Sequence, residues 1–198
     1  LNAIQNLSIR KNAPLSEYTR FGVGGRAAAL IDAHTTAAAV AAVRALRDSE
    51  LPFEVIAGGS NLIVADSGYD GAILRIRASQ ICVEGQRIHA DAGVVLQDLV
   101  DTSVAHGLEN LHTMTGIPGS VGAAVYGNAG AYGHSISESV VDVQFFDGSA
   151  VRKFDNAGCE FRYRESIFKQ RKDWLILSTA VELPRGDAAK LKEIADGI

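Results

Sequence analysis

The stretch from Thr115 to Gly133 holds six glycines and four alanines in nineteen residues, and no other feature narrows the possible folds as much. Glycine loses more backbone freedom on folding than any other residue, so placing it this densely is costly. Close packing of one helix on a sheet explains a few small residues. A flat ring or a diphosphate lying against the backbone explains the whole run. Pro118 fixes φ ahead of Gly119, and Ser120 to Val125 is expected to form a short helix whose N-terminus faces an anion.

A second glycine cluster points the same way. Val55-Ile56-Ala57-Gly58-Gly59-Ser60-Asn61-Leu62 reads as a buried strand delivering glycines, then a hydroxyl and an amide. Backbone N–H groups approach phosphate oxygens most closely where no Cβ intervenes, and Ser60 and Asn61 add side-chain donors. No G-K-[ST] follows, so it is not a P-loop, and the G-x-G-x-x-G spacing is missing as well. Taken alone, the cluster reads better as a plain turn after a strand.

A third segment, Phe161-Arg162-Tyr163-Arg164-Glu165-Ser166-Ile167-Phe168-Lys169, mixes charge with aromatic rings. Such a segment is commonly a solvated turn with surface ion pairs. An arginine beside a tyrosine also clamps a carboxylate or phosphate with its planar fork.

Around these segments the pattern reads as α+β. After an irregular opening, Phe21-Gly22-Val23-Gly24-Gly25 leads into a strand over 27–31, and Thr35 caps an alanine-rich helix running to Arg47. Pro52 ends it; a buried strand over 53–57 follows, then a turn at Tyr69-Asp70-Gly71 and a strand over 72–76. Farther on, Glu84-Gly85-Gln86 joins a hairpin, Val95 to His106 is helical with Gly107 past its end, and Val140 to Phe154 folds as a hairpin about Asp147-Gly148. Trp174 to Leu183 alternates as a long strand, and Asp187 caps a final helix through Leu191 and Ile194. The expected units are residues 1–76 and 77–186, with 187–198 leading onward.

An apolar share of 47% with 21% charged residues matches an ordinary globular protein with a real core. Nineteen basic against 23 acidic residues leave no electrostatic footprint for nucleic acid. Cys82 and Cys159 are too far apart in sequence for a C-x-x-C motif, and His34, His89, His106, His112 and His134 have no metal-ligand spacing, so no metal site is expected. The opening lacks a secretory signal and no apolar run reaches membrane-spanning length, which makes the cytoplasm the expected location.

Together, Thr19-Arg20-Phe21-Gly22-Val23-Gly24-Gly25, Gly58-Gly59-Ser60-Asn61, Gly116-Ile117-Pro118-Gly119-Ser120-Val121-Gly122, Asn128-Ala129-Gly130-Ala131-Tyr132-Gly133 and Tyr163-Arg164-Glu165-Ser166-Ile167-Phe168-Lys169 resemble, in order, the UDP-N-acetylenolpyruvoylglucosamine reductase family. The resemblance spans about residues 15 to 185 and implies two α/β lobes of the PCMH or vanillyl-alcohol-oxidase type, with FAD between them. It implies reduction of the enolpyruvyl ether of UDP-N-acetylglucosamine in peptidoglycan synthesis: NADPH gives a hydride to N5 of FAD, and the substrate takes it at C3 and a proton at C2. By family position Gly58, Gly59, Ser60 and Asn61, with Leu62 beside them, hold the FAD diphosphate. Thr115, Gly116, Pro118, Gly119, Gly122, Ala123, Tyr126, Asn128 and Ala131 line the flavin. Arg164, beside Tyr163, neutralises the substrate carboxylate. No histidine lies in the 58–62 loop, in keeping with non-covalent FAD. Tyr132 is read either as touching flavin or substrate or as a buried aromatic.

The family's proton-donating serine and its late glutamate have no counterpart before Ile198, nor does its substrate-binding lobe. The chain is therefore expected to be the FAD-binding portion of a monomeric enzyme whose partners are the UDP-sugar and NADPH, with no nucleic acid and no membrane. Three other readings stay open at this stage: another FAD oxidase or dehydrogenase of the same fold acting on a small hydroxy acid or sugar, a non-catalytic nucleotide-binding module, and an α/β domain whose glycines serve packing alone.

Overall fold

The computed structural model describes residues 1, 3–49 and 51–198 and divides them into two units, Leu1–Ala78 and Ser79–Ile198. In the first unit, β1 (Leu7–Pro14) pairs antiparallel with β2 (Arg26–Ala33), and helix α1 (Thr36–Asp48) crosses over to β3 (Phe53–Ile56). Strand β4 (Tyr69–Ile76) then inserts between β2 and β3, parallel to both, giving the order β1-β2-β4-β3. The Thr35 hydroxyl accepts from the Ala38 amide and starts α1, whose Ala38, Ala39, Ala42, Val43 and Leu46 are buried.

Three readings of this unit are corrected. The opening is not irregular: Leu7 to Pro14 is an edge strand, mostly solvent-facing and therefore polar in sequence. The strand at 53–56 is also an edge strand, half-exposed rather than buried, because β4 occupies the central place. Tyr69-Asp70-Gly71 is not a turn but the start of β4, with Tyr69 paired to Ala27 across the ladder.

One polar device fixes the first glycine loop. Asp32 and Arg75 face each other in the β2–β4 register and form a two-pronged ion pair at 2.7 Å through both nitrogens, with each side chain less than a fifth exposed. The Arg75 guanidinium lies 4.5 Å above the Tyr18 ring, an attraction between a cation and an aromatic face. Tyr18 in turn supplies the carbonyl against which Gly59 is seated.

The second unit is built on an antiparallel sheet of order β10-β9-β11-β6-β5. Its elements are β5 (Ile81–Glu84), β6 (Arg87–Asp91), α2 (Leu96–Ala105), α3 (Val121–Tyr126), the short hairpin β7 (Gly130–Ala131) and β8 (His134–Ser135), β9 (Val140–Phe146), β10 (Val151–Asp155), α4 (Ile167–Gln170), β11 (Leu175–Glu182) and α5 (Ala188–Asp196). β11 does not alternate as a one-faced strand would. It lies mid-sheet, and six of the seven residues from Leu175 to Val181 are buried. The second hairpin and the final helix form where the sequence places them, with Asp187 capping α5 through the Ala189 and Lys190 amides.

An aromatic cluster anchors the segment that carries Arg164. Phe145 stacks on Trp174 at 4.6 Å and meets Phe154 at 4.7 Å and Phe168 at 5.2 Å. Phe168 of α4 is fully buried, and a ring this size contributes about 2–3 kcal/mol by leaving water. The segment before α4 is thereby anchored, with Ser166 buried and the side chains of Arg162, Tyr163 and Arg164 left in solvent. No helix among the described residues is long and apolar enough to cross a membrane.

Candidate functional site

In the first unit, β3 runs into Gly58, Gly59, Ser60 and Asn61. Gly59 has φ +67°, and a Cβ there would collide with the Tyr18 carbonyl oxygen. Only glycine fits, for a reason internal to the fold. Its carbonyl accepts from the Arg20 amide at 3.1 Å and from the Leu62 amide at 3.4 Å, tying the Thr19–Gly25 segment to this loop. Gly58 differs: it is exposed, and a Cβ would meet only the Ser60 hydroxyl, at 3.8 Å. Among the described residues, the amides of Gly58, Gly59, Ser60 and Asn61 donate to no protein acceptor, and the Ser60 and Asn61 side chains have no hydrogen-bond partner. Four successive N–H groups without a protein acceptor are donors available to an anion. Leu62 is half-buried beside them.

In the second unit the glycine-rich run does two separate jobs. Gly116 (φ +77°) has open space where a Cβ would be, and Gly119 (φ +126°) has only the Ala123 methyl, at 4.0 Å. Gly122 is instead packed tightly on Ala92, with a Cβ there 2.8 Å from the Ala92 Cβ. Thr115 turns its hydroxyl onto the His112 carbonyl at 2.8 Å, Pro118 and Ala123 are exposed, and Ala131 is half-buried. Tyr126 is 36% exposed at the end of α3.

The short helix forms as expected, with Ser120 as its cap, but its N-terminus is not offered to an anion. The Val121 amide donates to the Val94 carbonyl at 2.8 Å, Gly122 to the Ala92 carbonyl at 2.9 Å, and Ala123 to the Ser120 hydroxyl at 3.4 Å. The chain at Val94 and Val95 runs antiparallel beside Ser120, and Val94 and Ala92 take up the first two of these donors. The Gly119 and Ser120 amides have no acceptor among the described residues, whereas the Gly116 amide is held by the Gln97 side chain at 2.8 Å. Gln97 had no role in the sequence reading, and a lone glutamine on a helix face carries no signal that would have given it one.

Arg164 sits at an exposed turn closed by reciprocal backbone bonds between Arg162 and Glu165, at 3.0 and 3.1 Å. It adopts φ +57°, a left-handed conformation that costs an arginine about 1–3 kcal/mol and marks sites that the surroundings over-determine. Its guanidinium Nη2 donates to the Gly130 carbonyl at 3.0 Å. Tyr163 is 90% exposed beside it. The turn is thus both things its composition allowed: a solvated turn with a Lys169–Glu165 ion pair, and a projecting arginine and tyrosine.

Asn128, expected along the flavin, spends both ends of its carboxamide on the protein. It is buried and left-handed (φ +41°), donates through Nδ2 to the Arg162 carbonyl at 2.9 Å, and accepts the Ser137 amide at 3.3 Å. Its carboxamide braces the Arg164 turn. Buried Ser166 adds a second brace, donating to the Tyr126 carbonyl at 2.7 Å. Tyr132 is not buried but 70% exposed, at the tip of the β7–β8 hairpin where it and Gly133 both have positive φ.

At Gly58 nothing of the protein demands a missing Cβ. At Gly116 and Gly119, whose positive φ already favours glycine, the space a Cβ would fill is open, so each unit by itself leaves room against its backbone that packing does not use. Comparison with known proteins points the same way. A family model described as an FAD binding domain matches residues 27–150. The UDP-N-acetylenolpyruvoylglucosamine reductase of Solibacter usitatus is 51% identical over all of this chain, which spans 64% of that protein, just under two thirds. A crystal structure of the reductase of that name from Thermus caldophilus superposes with a TM-score of 0.79 at 26% identity, over 96% of this chain and 67% of that one. The 6-hydroxy-D-nicotine oxidase of Arthrobacter nicotinovorans gives 0.67 at 19% identity, over 92% and 43%, a likeness of fold alone.

Proposed function

The chain belongs to the FAD-binding-domain family, with the PCMH or vanillyl-alcohol-oxidase fold, and from that premise we propose that it is the flavin-carrying portion of a UDP-N-acetylenolpyruvoylglucosamine reductase. In this reading Gly58 to Asn61 hold the FAD diphosphate through their bare amides, with the Ser60 hydroxyl and the Asn61 carboxamide adding donors. The open faces of Gly116 and Gly119, with Thr115, Pro118, Ala123, Tyr126 and Ala131, line the flavin, and Gly122 seats α3 behind them. No residue in the 58–62 loop offers a covalent link. Bound by these residues, FAD would supply the hydride chemistry between NADPH and the enolpyruvyl carbon of the UDP-sugar.

The observation that carries the substrate assignment is Arg164, a guanidinium on a strained, solvent-facing turn beside an exposed tyrosine. Hydride addition to an enolpyruvyl group drives negative charge onto its carboxylate. A fixed guanidinium there stabilises the transition state more than the ground state, which is what speeds a reaction. Tyr163 contacts the same ligand. The proton comes from the longer protein beyond these residues, which continues from α5 into a substrate-binding part. The reading places the enzyme in the cytoplasm as a monomer, without nucleic acid or membrane partners.

The test is to add the UDP-enolpyruvyl sugar and NADPH to the full-length protein with FAD and follow NADPH consumption. Loss of NADPH that depends on the sugar is expected; none, with flavin bound and reducible, overturns the substrate assignment and favours a different substrate on the same fold.

A further inference from the structure

We infer that Lys169 is a positioning residue for Arg164, holding its backbone in the left-handed conformation from which the guanidinium is aimed; this rests on the proposed role of Arg164 toward a carboxylate. A left-handed arginine does not persist by itself. What holds it is visible. Lys169 reaches back from α4, and its Nζ donates to the Arg164 carbonyl at 3.0 Å and to Glu165 Oε1 at 2.7 Å. Because Arg164 is left-handed, its carbonyl points where Lys169 can bind it; a right-handed or extended Arg164 would turn that oxygen away and break the contact.

The ion pair with Glu165 explains little, since both side chains are 40% or more exposed and such pairs contribute only weakly. The ammonium-to-carbonyl bond is the part that reads backbone conformation. A second grip acts one residue before the tip, where the Asn128 carboxamide binds the Arg162 carbonyl, itself already accepting from Glu165. The Arg164 side chain is steadied by the Gly130 carbonyl, but that bond is one a ligand carboxylate replaces. Two protein grips on the backbone and one exchangeable grip on the head group describe an arginine kept ready for an anion.

The experiment uses full-length, FAD-loaded enzyme and separates the half-reactions by rapid mixing. In Lys169→Met, flavin reduction by NADPH is expected to match wild type. Reoxidation by the UDP-enolpyruvyl sugar is expected to slow by about 10- to 100-fold, as a misplacement on the order of 1 Å does. Lys169→Arg should recover part of that loss. Glu165→Gln, which keeps the carbonyl bond and removes the ion pair, should stay within about twofold of wild type. Two further readouts guard the interpretation: the unfolding temperature, and calorimetric binding of the sugar to the oxidised enzyme, which should weaken less than the rate falls. Reoxidation at the wild-type rate in Lys169→Met overturns the inference. So does a parallel fall of both half-reactions with the unfolding temperature, which would make Lys169 merely structural. If wild type itself is not reoxidised by the sugar, the substrate assignment has failed first, a result distinct from either.

Discussion

The 58–62 loop and the 116–122 segment use glycine alike and their amides differently. Each pairs one glycine wedged on its own protein, Gly59 on Tyr18 and Gly122 on Ala92, with another that faces open space, Gly58 or Gly116. In the first loop four consecutive amides are uncommitted. In the second, Val94, Ala92 and Ser120 have taken the donors of α3 and left only Gly119 and Ser120. The first region therefore keeps more free donors, and the second more open Cβ space, which is the division the proposed diphosphate and flavin roles require. Glycine content alone does not separate a residue the fold needs from one a guest needs; the space around the absent Cβ and the local φ together do, and of these four only Gly58 has neither a positive φ nor a tight neighbour.

The sharpest way to break this comparison is to add that Cβ at adjacent positions. Gly59→Ala combines left-handed strain with a clash on the Tyr18 carbonyl and should destabilise the chain by roughly 3 kcal/mol, read from urea unfolding without FAD. Gly58→Ala should leave that unfolding curve unchanged or slightly improved, yet weaken FAD about tenfold, a loss of about 1.4 kcal/mol. If both variants behaved alike, the division between fold glycines and guest glycines would be wrong.

A smaller effect sharpens the second region. Ser120→Ala removes a long cap bond to the Ala123 amide and should cost about 0.5 kcal/mol of stability while leaving FAD affinity unchanged. A collapse in affinity would instead show that the start of α3 serves the anion after all.

The smallest effect lies just past the β7–β8 hairpin. The His134 side chain, helped by the Ser135 amide, holds the Glu138 carboxyl below its ordinary value of 4.5, against the opposing effect of partial burial. A carboxyl depressed on folding stabilises above its unfolded value, and that contribution fades as pH falls through the folded one. Because Glu138 is nearly half exposed, the loss below about pH 4.5 should amount to only about 0.3 kcal/mol. Urea unfolding of wild type and Glu138→Gln at neutral and acid pH should converge on acidification.

Much of this was legible from residues that act locally. Thr35, Gly107, Ser120 and Asp187 punctuate helices through their own side chains or φ, and each does so where the pattern places it. The hairpins about Gly85 and Gly148 are equally local. What stayed hidden depends on a distant partner. Leu7 to Pro14 looks irregular because its strand character comes from pairing with β2, and Phe53 to Ile56 looks buried until β4 takes the centre. The same holds at the site. The glycines of 116–122 are plain in the sequence, but that Val94 and Ala92 take the amides of α3 is written some thirty residues away. Asn128 reads as a ligand contact by family position; only the register of the Arg162–Glu165 turn shows that its carboxamide faces inward. Lys169 lies four residues after Glu165 in the Tyr163 to Lys169 motif, a spacing that signals an ion pair and says nothing of the Arg164 carbonyl.

Titration of the flavin-free 198-residue chain with FAD, followed by flavin absorbance and fluorescence, tests most directly whether uncovered backbone is there to receive a guest. One FAD per chain is predicted, released intact by acid and bound about tenfold more weakly by Gly58→Ala at unchanged stability. A folded chain that takes up no FAD, or a Gly58→Ala variant that binds as wild type does, would contradict it.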